Sequence, residues 1–123
     1  MGLIVWLDAE DCDPPHGLDM ESEHDLYKVI DLGNDFLIYG GFDCSKSALV
    51  GYVKAGRVQL LSGTHRHMAA LNTDTKLPVV LWLGSDIEKA WGDLEKWRKV
   101  IEDIPVSTLE TWTREDLERV RCV

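Results

Sequence analysis

Apolar and polar positions alternate and cluster along this chain in a way that divides it into short strands and four helices. Leu3-Ile4-Val5-Trp6-Leu7 is a continuous apolar run of strand length. The segment from Asp8 to Asp19 reads as a loop, because Pro14-Pro15 and Gly17 oppose both helix and ladder. Ser22 is placed to cap a helix whose apolar side includes Leu26, Tyr27 and Ile30 and which stops near Gly33-Asn34. Phe36-Leu37-Ile38-Tyr39 is apolar and too short to assign, and it is broken by Gly40-Gly41. Strands near 48–53 and 57–61 flank Lys54-Ala55-Gly56, a hairpin turn. A further strand covers Pro78–Trp82.

Ser85-Asp86-Ile87-Glu88 has the pattern of a capping box, and Ile87, Ala90, Trp91, Leu94, Trp97 and Ile101 follow at helical spacing. This predicts a helix over 86–102 that buries an indole-rich face. A shorter helix over 113–120 starts at Thr113, with Trp112 and Leu117 placed as a hydrophobic staple. The order of elements implies an α+β fold: a small mixed β-sheet flanked by helices, in a single domain spanning 1–123.

Between the hairpin and the Pro78 strand lies the segment with the most chemistry. Arg57-Val58-Gln59-Leu60-Leu61 reads as a strand, Gly63 as a tight turn, and Thr64 onward as a helix rich in small residues. A helix start has backbone N–H groups without intrahelical acceptors, so an anion above Gly63 gains those donors, the positive end of the helix dipole and the Arg66 guanidinium. Ser62, Gly63, Thr64, His65, Arg66 and His67 are therefore the candidate phosphate-binding residues.

The stretch Ser62-Gly63-Thr64-His65-Arg66-His67-Met68-Ala69-Ala70, led by its strand, resembles the nucleotide-binding box of the ParB/sulfiredoxin superfamily. Gly63, His65 and Arg66 match the Gly-Cys-His-Arg form of sulfiredoxin, and Gly63, Arg66 and Ala69 match the Gly-x-Arg-Arg-x-x-Ala form of ParB. The similarity extends over 40–82. It implies a ParB/sulfiredoxin-like fold that grips the phosphates of CTP or ATP, with or without Mg²⁺. It also implies phosphoryl-transfer or hydrolase chemistry in which His65 and Arg66 are the catalytic candidates. Thr64 stands where sulfiredoxin has its cysteine and where ParB proteins usually carry a glutamate. A hydroxyl cannot supply a low-pKa thiolate, so repair of sulfinic acids is not expected.

Charge adds a second reading. The net charge is −9, and residues 1–25 hold eight acids and no Lys or Arg. Residues 26–85 carry four acids against six Lys/Arg, so the Gly63 motif sits in a locally basic segment. The overall sign disfavours duplex DNA as a partner. It suggests instead an alternative role: a non-enzymatic interaction protein, such as a phage- or plasmid-borne inhibitor, whose residues 8–25 occupy a basic protein partner. Oxygen ligands at Asp8, Glu10, Asp11 and Asp13 would suit Mg²⁺, but no calcium-loop signature is present and no resident metal site is assigned. Cys12, Cys44 and Cys122 are odd in number and widely spaced, which fits free thiols and a cytoplasmic location without membrane association.

Overall fold

Residues 2–18, 21–42, 46, 48–82 and 110–120 are described by a computed structural model of the chain. The expected helix over 86–102, with Trp91 and Trp97, lies outside them. The elements run β1 (Gly2–Asp8), a 3-10 turn (Ala9–Asp11), β2 (Cys12–Asp13), α1 (Glu23–Tyr39), β3 (Leu49–Lys54) and β4 (Arg57–Leu60). They continue with α2 (Thr64–Thr73), β5 (Lys76–Trp82), β6 (Glu110–Thr111) and α3 (Arg114–Glu118). Six strands form one mixed sheet in the order β2-β4-β3-β5-β1-β6. The α+β class expected from the sequence is what these elements build.

The strands carry two-residue periodicity, and the sheet sorts it into two faces. Val5, Leu7, Leu49, Val53, Val58, Leu60, Leu77, Val79 and Leu81 turn to one side and form the main core with Val29, Phe36, Ala69 and Ala70 of the helices. Ile4, Ala48, Val50, Leu61 and Val80 form a smaller cluster. β5 is central: it runs antiparallel to β1, with Val5 opposite Val79, and parallel to β3, with Leu49 opposite Val79. Pro78 is tolerated in this strand because β3 begins pairing only at Val79, so the missing N–H has no second neighbour to serve.

β3 and β4 form the predicted hairpin. Ala55 and Gly56 both have positive φ, 52° and 76°, the geometry of the turn whose twist matches paired strands. The loop expected over 8–19 needs correction. Cys12-Asp13 leaves it to pair in parallel with Val58-Gln59 at the sheet edge. Arg57 holds that edge in place, donating Nε to Asp13 Oδ2 at 3.2 Å and Nη2 to Asp13 Oδ1 at 3.0 Å and to the Glu10 carbonyl at 2.8 Å. Gln59 Nε2 reaches the Pro14 carbonyl at 3.0 Å.

The first helix also departs from expectation. It does not stop at Gly33-Asn34 but continues through the unassigned apolar run to Tyr39, ending at Gly40 with φ 69°. Its buried face is Val29, Gly33 and Phe36, while Tyr27 and Ile30 are 60% and 45% exposed. Gly33 lies at the contact between α1 and α2, where a Cβ would sit 3.6 Å from Thr73 Cγ2. The last helix follows its sequence signature, with the Asp116 carboxylate accepting from the Thr113 N–H at 2.8 Å and from its hydroxyl at 3.1 Å.

Because 3.6 Å is ordinary van der Waals contact, Gly33→Ala should fit and should stabilise the chain by about 0.5–1 kcal/mol through helix propensity. Gly33→Leu should destabilise it by about 1–3 kcal/mol through overpacking. Urea denaturation of the two variants checks the opposite signs.

Candidate functional site

α2 begins where β4 ends, and the chain reverses at Gly63 with φ 83° and ψ 35°. This left-handed geometry favours glycine. Space demands it too, since a Cβ would collide with the Leu49 side chain, including its Cγ at 2.8 Å. Gly63 is the N-cap residue and brings no side chain to the helix start. The first intrahelical bond runs from the His67 N–H to the Gly63 carbonyl at 2.8 Å. The N–H groups of Thr64, His65 and Arg66 precede it, and the helix offers them no acceptor. Arg66 folds back over this turn, its Nε 3.5 Å from the position a Gly63 Cβ would take.

The electrostatics of the two helix starts differ. α1 has Glu23 and Asp25 in its first turn, which suits the positive end of its dipole. α2 has no acid in its first turn and carries Arg66 there instead. Asp25 reaches across from α1, and its carboxylate accepts the His65 Nε2–H at Oδ1, 2.9 Å away. The rings of His24 and His65 meet edge to face at 6.2 Å.

The candidate residues thus separate into two groups. Ser62, Gly63, Thr64, His65 and Arg66 surround the turn. Thr64 is buried and points its hydroxyl at His16 Nε2, 3.4 Å away. His16 Nδ1–H is taken by the Gly17 carbonyl at 3.0 Å, so in the neutral ring Nε2 accepts the Thr64 proton. His67 belongs elsewhere. Only 3% exposed, it donates Nε2–H to the carbonyls of Ala9 at 2.9 Å and Cys12 at 3.0 Å. Its backbone N–H is already bonded to Gly63. Neither group is left for a phosphate, and His67 is corrected from ligand to structural pin.

Asp25, His16 and His24 were not among the residues assigned to the site from sequence. Asp25 and His65 are 40 positions apart, and no local periodicity links them. The acidic segment likewise proves to be tied down. Asp8 pairs with Lys76 at 2.7 Å, Asp11 with Arg114 at 3.1 Å and Asp13 with Arg57 at 3.0 Å. Among the described residues, no group of three or more His, Cys, Asp or Glu side chains is arranged to hold a metal ion. No helix among them is long and apolar enough to cross a membrane.

Cys12 is a buried free thiol bonded to the Asp8 carbonyl at 3.6 Å. Burial first, and the neighbouring Asp11 charge second, push it up to about 12. The folded chain keeps this proton where the unfolded chain, at the ordinary 9.0, has lost it. Stability should therefore fall as pH rises from 9 towards 12. In a Cys44→Ser, Cys122→Ser background, Cys12 should resist a thiol reagent at pH 8 until the protein is unfolded. His67→Ala leaves two carbonyls without their donor and should cost about 1–3 kcal/mol by denaturant titration.

No protein-family model matches this sequence, and no curated protein shows significant similarity to it.

Proposed function

We propose that the Gly63 turn binds phosphate and that the chain is a nucleotide-binding domain with a ParB/sulfiredoxin-like fold, holding the phosphates of CTP or ATP. One observation carries this reading. α2 starts on a left-handed glycine with no capping side chain and no acid in its first turn, and it places Arg66 over its own positive end. Helix starts ordinarily attract carboxylates, and a cation there is unfavourable on its own. A bound polyanion reverses the sign, because it accepts from the N–H groups of Thr64, His65 and Arg66 and pairs with the guanidinium.

Each residue has a distinct part in this reading. Gly63 shapes the turn, and Arg66 balances phosphate charge. His65, oriented by Asp25, borders the same turn and offers an imidazole fixed in one direction. A phosphoryl-transfer or hydrolase activity here would draw on Arg66 for charge stabilisation and on His65 for proton handling. Mg²⁺, where present, would be held chiefly by the nucleotide's own phosphates. The alternative of an acidic interaction protein draws less support. Asp8, Asp11, Asp13 and Asp25 are already paired within the fold, which weakens the field that residues 8–25 could present to a basic partner.

Calorimetric titration with ATP, CTP and GTP, with and without Mg²⁺, should detect binding of at least one nucleotide. Arg66→Ala should weaken it by about 1.5–3 kcal/mol, the range for hydrogen bonds to charged groups. A folded Arg66→Ala variant with undiminished affinity would overturn the proposal. Asp25→Asn should leave binding within about threefold but lower any turnover, because it releases His65 without touching the N–H donors.

A further inference from the structure

α1 and α2 lie side by side and point the same way: Asp25 and His65 meet near their starts, and Gly33 and Thr73 meet further along. Thr73 is the last residue of α2, and α1 runs on past Gly33 to Tyr39. Between those ends lies a cleft of about 470 Å³, lined by Tyr39, Gly40 and Gly41 from the end of α1 and by Thr73, Asp74 and Thr75 from the end of α2. Trp6, Phe36 and Phe42 complete its walls. Phe42 packs against Trp6 and against Phe36, 6.1 Å between ring centres in each pair, but Phe36 and Phe42 are buried, so the rings that line the cleft with exposed surface are those of Trp6 and Tyr39. α2 has ten residues, so at about 1.5 Å per residue the cleft is roughly 15 Å from the Gly63 turn.

The cleft's charge is opposite to that of the turn. Two helix C-termini each bring about half a negative charge and carbonyls without intrahelical donors. Asp74 adds a full carboxylate at the lip. Lys76 also lines the cleft, but its ammonium is held by Asp8 at 2.7 Å. Aromatic walls beneath carbonyls and a carboxylate suit an organic cation, and a planar guanidinium above all, since it stacks on rings and is weakly hydrated. Two further features make the ligand longer than one side chain. A second depression, lined by Asp8, Glu10 and Leu71, shares Asp74 and Thr75 with the cleft, and since Asp8 is neutralised by Lys76 the carboxylate it adds is that of Glu10. Leu37, Ile38 and Tyr39 stand 68%, 75% and 65% exposed beside the cleft, an apolar margin with no charge of its own.

The geometry points to a docking cleft for a peptide segment of a partner protein, in which an arginine enters between the two helix ends and flanking apolar residues cover Leu37 and Tyr39. The test is a ¹⁵N NMR titration of the full chain with the capped tripeptides Ac-Leu-Arg-Leu-NH₂ and Ac-Leu-Glu-Leu-NH₂ and with N-acetylarginine amide. The arginine tripeptide should shift the Gly40, Gly41 and Asp74 amides and the Trp6 indole saturably, and more tightly than the amide alone. Asp74 has φ 51°, a conformation asparagine also accepts, so Asp74→Asn should fold normally and weaken binding about tenfold. Tyr39→Ala, on an exposed side chain, should weaken the tripeptide more than the amide. The proposal fails if no shift saturates, if the glutamate peptide binds as well, or if Asp74→Asn binds with unchanged affinity. Equal affinity for the amide and the tripeptide would overturn the peptide part, leaving a site for small cations.

Discussion

The close approach of α1 to α2 at Gly33 governs most of what this molecule can do. A side chain much larger than a methyl at that position would push apart two helices that share a direction, and with them the pairing of Asp25 to His65. Parallel helix dipoles repel one another side by side, so the arrangement needs compensation from packing. Val29, Phe36, Ala69 and Ala70 supply it by closing one apolar layer over the sheet. The result is a polarised pair of ends, one rich in N–H donors and histidines, the other in carbonyls and aromatic rings.

A second constraint fixes the chain before α1. The 3-10 turn and β2 carry acids in close succession, and such a segment has little apolar surface with which to fold. It is ordered by side chains that come from elsewhere. Arg57 clamps Asp13 and the Glu10 carbonyl, Gln59 takes the Pro14 carbonyl, and His67 reaches up from α2 to Ala9 and Cys12. The pairing with Asp13 raises Arg57 further above its ordinary value. His67 retains one buried nitrogen, Nδ1, without a hydrogen-bond partner.

Local signals in the sequence were readable wherever local physics decided the outcome. The Ala55-Gly56 turn, the Thr113 cap, and the strand–glycine–helix passage at Gly63 each depend on neighbours within a few residues. Features decided across the fold were not. Gly33 looks like a helix stop because glycine lowers helix propensity, yet α1 runs on through it with Thr73 of α2 packed alongside. Cys12-Asp13 shows no strand pattern, because a parallel partner 46 residues onward defines it. His67 stands within the motif by spacing but beneath it by direction, since successive helical residues point to different faces.

The shortness of β2 has a consequence for association. The two outer strands described in the sheet, β2 and β6, each have only two residues. Pro14-Pro15 follows β2 directly and lacks the N–H groups that another ladder would need. A neighbouring chain seeking to add a strand would find only two residues of template on β2 or on β6. Sheet growth by pairing onto β2 or β6, one hazard of a hydrophobic β-rich core, is thereby blunted.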